Sequence, residues 1–156
     1  LLQWEKSKEL PWGLLILFGG GLSLAAQISS SGLGVWIGNS LLILSTVPPI
    51  LLILAVATLI IFLTEITSNV TTTTTFLPVF GALAIAIGVL PVSLTVPVCL
   101  AASCAFMLPV ATPPNAIVYG SNKFTIATMM RAGFALNIIG IFVVTLFAYY
   151  LAPLIF

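Results

Sequence analysis

Apolar and polar residues are segregated into long blocks along this chain. A helix that crosses the ~30 Å hydrocarbon core of a bilayer needs about 20 apolar residues, and a series of interrupted apolar stretches precedes one long last run. The first extends from Pro11 to about Gln27, with Pro11 suited to a first helical position and Trp12 to a membrane interface. It contains Gly19-Gly20-Gly21, a triplet that favours close packing of another backbone. After Ser29-Ser30-Ser31-Gly32, Leu33 to Leu44 carries Trp36, Asn39 and Ser40, which fits an interface-lying or short helix as well as a spanning one.

Beyond Pro48-Pro49, the run Ile50 to Leu63 leads into the polar stretch Thr64 to Thr75, and apolar sequence returns from Phe76 to Leu90 with Pro78 inside it. The next region starts at Val92 or Pro97 and ends at Ala111, before Thr112-Pro113-Pro114-Asn115. Two successive prolines remove two backbone donors and push Thr112 out of the helical region, which predicts a helix break near 111–115. Ala132 to Phe156 is long enough to cross once. Lys6, Lys8, Lys123 and Arg131 then place the start of the chain and Arg131 on the cytoplasmic face, with the C-terminus outside.

Composition narrows the function classes. Only 4% of the 156 residues are charged and 61% are hydrophobic, against roughly 25% charged in a soluble domain; mean hydropathy is +1.32. A multi-pass protein of the cell membrane, in contact with lipid, is expected. A net charge of +1 without a basic cluster offers nothing to a phosphate backbone, so nucleic acid is not a partner. There is no histidine, and Cys99 and Cys104 are read as free thiols in an apolar stretch. Zinc and haem ligand sets and the common nucleophile–base pairs are therefore missing, and an enzyme is not expected. The opening Leu1-Leu2-Gln3-Trp4, followed by charges of both signs, does not read as a secretory signal and is expected to lie inside a longer protein.

The polar blocks hold the candidate chemistry. Thr64 to Thr75, between runs too short for two independent spans, predicts a re-entrant hairpin with its tip near Ser68-Asn69. The helix entering such a tip ends in free carbonyls suited to a cation, and the helix leaving it begins with free N–H groups suited to an anion. Thr64, Thr67 and Asn69 supply hard oxygens for sodium; a polar helix cap explains the Ser-Asn pair equally. The hydroxyls of Thr72 to Thr75 are expected to bond back to carbonyls four residues earlier. Glu65, the one carboxylate between Leu10 and Asn122, is open to a structural role, to cation or proton coupling, or to pairing with Arg131 or Lys123. The Thr112-Pro113-Pro114-Asn115 break is either a proline kink or a site that exposes the Ala111 carbonyl and the Thr112 hydroxyl. Two interrupted segments in one unit, neither present in a second copy, point to half of an inverted-repeat transporter.

These residues resemble a known family. Thr64-Glu65-Ile66-Thr67-Ser68-Asn69-Val70, the stretch Ala101 to Ala116, and Leu14 to Gly21 are similar to the C-terminal half of the divalent anion/sodium symporters, over essentially the whole chain. The resemblance implies an all-α polytopic membrane protein, one half of an inverted-repeat, elevator-type transporter that works as a homodimer. Residues 1–156 would form its C-terminal repeat, with the N-terminal repeat outside them. It also implies a second sodium site at Thr64, Thr67, Asn69 and Ala111, and a substrate site at Ser68, Asn69, Val70, Thr112 and Pro113. Val70 stands where the family carries threonine, which removes a hydroxyl from a carboxylate's surroundings. Sodium-coupled symport of divalent anions, foremost C4-dicarboxylates such as succinate, is the expected function. Val70 and the missing repeat leave a non-transporting membrane scaffold of the same fold as the alternative.

Overall fold

The computed structural model describes residues 46–121, 123 and 125–155, with isolated positions 16, 19, 20, 23, 26, 27, 30–32 and 36 before them. The spans expected over Pro11 to Gln27 and Leu33 to Leu44, and the charged stretch Glu5 to Glu9, lie largely or wholly outside the described residues. Among the described residues the structure is helical without strands: α1 (Pro49–Thr64), α2 (Asn69–Ala86), α3 (Val92–Ala102), α4 (Pro113–Gly120), α5 (Ile126–Tyr150) and the short α6 (Ala152–Ile155).

Each boundary has a local cause. Pro49 opens α1 at a position where its missing N–H costs nothing. The buried residues Leu52, Ile53, Val56, Ala57, Ile60, Ile61 and Thr64 recur at alternating spacings of one and three, a single helical face. α2 begins at Asn69, so the threonine run lies inside a helix, and regular structure starts well before the expected return at Phe76. The side chains make this possible: Thr72, Thr73 and Thr74 donate to the carbonyls of Ser68 (3.0 Å), Asn69 (2.9 Å) and Val70 (2.9 Å), as the sequence suggests for these three. The helix stops short of Leu90 because Gly88 adopts φ +76°. There Val89 N–H reaches the Ala84 carbonyl at 2.9 Å, the closing bond of a glycine-terminated helix.

The break between α3 and α4 falls earlier than the prolines imply. α3 ends at Ala102, residues 103–112 are non-helical, and Pro113 and Pro114 begin α4. Of the break expected near 111–115, positions 111 and 112 are non-helical and 113–115 open α4. A proline pair interrupts a helix that arrives from its N-terminal side, but here none arrives, and the same ring geometry starts the next one. Thr112 is extended (φ −145°, ψ 152°), as a residue before proline must be. α5 likewise begins at Ile126 rather than Ala132, because Thr125 caps it by accepting from Thr128 N–H (3.3 Å); Arg131 therefore sits within the helix.

α3 is the central element, packed against α1, α2 and α5, and α1 also packs on α5. The core is apolar, drawn from Ile53, Ile60, Ile61, Leu94, Val98 and their neighbours. α5 turns Gly133, Asn137, Ile141, Val144 and Ala148 inward, while Phe134, Ile139, Phe142, Val143 and Leu146 on its other faces are exposed. A helix apolar on every side belongs in lipid or inside a membrane protein. Among the described residues, α2 and the α5–α6 stretch are long and apolar enough to cross a bilayer, and α1 and α3 are shorter apolar helices.

Gly133 marks where α5 meets the non-helical segment. A Cβ there would fall on the Phe106 carbonyl oxygen and on the Met107 backbone, closer than non-bonded atoms approach. At Gly140 the nearest atoms are side-chain carbons and sulfur at 3.7 Å. Gly133→Ala is expected to destabilise the full-length protein by roughly 1–3 kcal/mol through overpacking against backbone that cannot move aside, and Gly140→Ala is expected to be tolerated. Thermal unfolding of the two purified variants in detergent checks the difference.

Candidate functional site

A non-helical stretch inside an apolar fold must find partners for its backbone groups, since lipid supplies none. Glu65, 4% exposed and placed by the turn that follows α1, meets that need at the middle of residues 103–112. Its Oε1 accepts from the N–H groups of Phe106 (2.8 Å) and Met107 (2.9 Å), and its Oε2 from those of Met107 (3.1 Å) and Leu108 (3.0 Å). Asn137 of α5 donates its Nδ2 to Oε1 at 2.7 Å. Bonds from N–H donors to a carboxylate are among the stronger hydrogen bonds available to a protein. Lys123 and Arg131, weighed as ion-pair partners from the sequence, are not among the groups bonded to it.

The carbonyl side of the same segment is held by Asn115. Its Nδ2 donates to the carbonyls of Ala105 (2.8 Å) and Leu108 (3.0 Å), while its backbone N–H meets Thr112 Oγ1 at 3.4 Å. Carboxylate and amide therefore grip opposite polar edges of one irregular strand of backbone.

Three helix ends converge beside it. α1 ends at Thr64, α3 ends at Ala102, and α2 begins at Asn69. The fully buried Thr64 hydroxyl lies 2.8 Å from Asn69 Oδ1 and 2.9 Å from the Ala102 carbonyl oxygen. A hydroxyl has one proton, so it satisfies only one of these acceptors at a time. Two helix C-termini thus bring carbonyl dipoles to an oxygen-rich point with too few donors, an arrangement that suits a hard cation. The start of α2 has the opposite character. Ser68 is its cap residue but makes no side-chain cap bond, and the first internal backbone bond is Thr72 N–H to the Ser68 carbonyl at 2.8 Å. Its leading N–H groups are therefore available to an anion. The polar-cap explanation of Ser68 does not hold for its hydroxyl.

A cavity of about 500 Å³ opens at this junction. One wall is Ser68, Asn69 and Val70; the other runs from Ser103 through Ala105 and Phe106 to Ala111, Thr112, Pro113, Pro114 and Asn115. The five residues expected to meet substrate thus share one cavity, together with Ala111. Of the other residues expected at sodium, Thr64 lies behind the wall, bonded to Asn69. Thr67 turns its hydroxyl toward the Leu63 carbonyl (2.9 Å) and Thr72 Oγ1 (2.5 Å), within the turn. Sequence reasoning missed Ala102, Ser103 and Phe106, which carry no polar side-chain signal beyond one serine. It also missed Asn137, whose signal was available as the sole amide in α5.

The family profile described as sodium:sulfate symporter transmembrane region matches residues 1–156. The chain belongs to this family. Among its relatives are the sodium-dependent dicarboxylate transporter SdcS of Staphylococcus saprophyticus (49% identical over 153 residues, 98% of this chain and 30% of the relative) and SdcS of Staphylococcus aureus strain MRSA252 (49% over 155 residues, 99% and 30%). The chain therefore spans about 30% of the length of these relatives. Membership of the symporter family agrees with an integral membrane protein, two of whose described helices are long and apolar enough to cross a bilayer.

The Glu65 clamp has a direct test. Glu65→Gln replaces one acceptor oxygen with an amide that points hydrogens at N–H groups. The full-length protein is expected to lose about 2–3 kcal/mol, the scale of hydrogen bonds to a charged group. A denaturant or thermal midpoint unchanged from the wild type would mean that the segment is held by something else.

Proposed function

We propose that the full-length protein is a sodium-coupled symporter of dicarboxylates, with succinate as the leading substrate, and that residues 1–156 form its C-terminal repeat. The observation that carries this reading is the shared cavity of Ser68, Asn69, Val70, Thr112 and Pro113. The names of the relatives support sodium and a dicarboxylate as the pair of solutes.

In this reading, sodium binds where the C-terminal ends of α1 and α3 meet, at the oxygens of Thr64 and Asn69 and the backbone of Thr67 and Ala111. The Ala102 carbonyl is an added candidate, because it already lies 2.9 Å from the Thr64 hydroxyl. A carboxylate binds at the N-terminus of α2, on the N–H groups of Asn69 and Val70 and the Ser68 hydroxyl, with Thr112 and Pro113 facing it. Asn69 belongs to both sites: its Oδ1 faces the cation and its backbone N–H faces the anion. A cation that fixes Asn69 therefore pre-organises the anion donors, and by linkage the anion raises sodium affinity by the same factor. Among the described residues no lysine or arginine lines the cavity, so in this reading the anion is held by dipoles and hydroxyls and released without breaking an ion pair.

The sequence holds no second copy of the Ser68-Asn69-Val70 stretch. In this reading the remaining ligands come from an N-terminal repeat related by inverted topology, α1 and α2 form a re-entrant hairpin, and the whole moves as an elevator in a homodimer. Val70 brings an isopropyl group, 38% exposed, to the cavity wall.

Uptake of radiolabelled succinate into liposomes containing the full-length protein, with sodium against potassium outside, tests the proposal. Sodium-dependent uptake that falls at least tenfold in Asn69→Ala supports it, whereas no uptake of any divalent anion under either gradient would leave the scaffold reading. Val70→Thr is expected to lower the succinate KM about fivefold, the effect of one added neutral hydrogen bond.

A further inference from the structure

Asn137 is the fully buried amide of α5, and it sits in an unusual position for such a group. Its Nδ2 donates to Glu65 Oε1 at 2.7 Å, yet its Oδ1 is buried without a hydrogen-bond partner among the described residues. A carboxylate only accepts, so the amide must face Glu65 with its nitrogen, and the oxygen is left over. A buried polar atom without a partner is a standing cost, and leucine would fill the same place in a membrane helix without it. The donor, then, is what this position provides.

The donor acts on the cavity through a short chain of contacts. Asn137 fixes one oxygen of Glu65. That carboxylate fixes the N–H groups of Phe106, Met107 and Leu108. The segment they belong to supplies Ser103, Ala105, Phe106, Ala111 and Thr112 to the cavity wall. One turn earlier on α5, Gly133 lets the backbone of Phe106 and Met107 lie directly on the helix.

We infer that Asn137 is a positioning residue for the ligand cavity, holding the 103–112 wall in its binding position through Glu65 without touching the ligand. The inference rests on the reading of that cavity as a dicarboxylate site. A wall that holds this position for only a fraction of the time weakens apparent affinity by that fraction and leaves the bound complex unchanged. The predicted signature is therefore a raised KM with an almost unaltered maximal rate.

The test is succinate uptake by the full-length protein carrying Asn137→Leu, Asn137→Gln or Thr145→Val, with rates normalised to transporter in the membrane. Thr145 is the control, because it is a second buried α5 residue whose Oγ1 has no partner, and it is not bonded to Glu65. Asn137→Leu is expected to raise KM about tenfold, the low end of the effect of losing a hydrogen bond to a charged group, with the maximal rate within about twofold. Asn137→Gln, which keeps an amide donor, is expected to fall between it and the wild type, and Thr145→Val to match the wild type. A wild-type KM in Asn137→Leu would overturn the inference. So would equal shifts in the leucine and glutamine variants, which would assign the effect to shape, and so would failure of both to accumulate in the membrane, which would assign Asn137 to folding. A wild-type protein without sodium-dependent uptake would instead sink the cavity assignment, and this inference with it.

Discussion

Three adjacent backbone N–H groups in an apolar fold need an acceptor, and Glu65 is the group that answers them. Residues 103–112 are non-helical and cannot leave these N–H groups unpaired, because lipid offers no hydrogen bonds. The carboxylate takes the N–H side, Asn115 takes the carbonyls of Ala105 and Leu108, and Gly133 lets the backbone settle against α5. Remove that acceptor and the segment has no reason to stay open. The part of the cavity wall formed by this segment rests on it.

The polarity of the site follows from helix ends rather than charged side chains. The C-termini of α1 and α3 meet at Thr64 and Ala102, and the N-terminus of α2 opens beside them. Regions of opposite partial charge therefore lie within one side chain's reach, bridged by Asn69. The carboxylate nearby, Glu65, is already occupied by five hydrogen bonds from backbone and Asn137.

Much of this was legible in the sequence, for physical reasons that differ by element. The span of α1 follows from proline at its start and polar residues at its end. The interruption between α1 and α2 follows from the polar residues after Leu63, between apolar runs too short for two independent spans. The threonine run misled in extent, because its hydroxyls find carbonyls inside α2 and so make a polar sequence behave as a dry helix. The prolines at 113–114 misled in place: the sequence marks where a helix is obstructed, but the decision to leave the helix at Ser103 comes from Glu65, some forty residues earlier in the chain. The Asn137 bond is likewise a tertiary fact, with only an isolated amide in an apolar helix to announce it.

The two prolines have a kinetic side as well. Because Pro113 and Pro114 have no N–H and Asn115 N–H is engaged by Thr112, the mouth of α4 offers an anion almost no backbone donors. In the proposed site, an anion released from the N-terminus of α2 would meet few backbone donors on the α4 side, so its residence time would be governed mainly by the α2 side of the cavity.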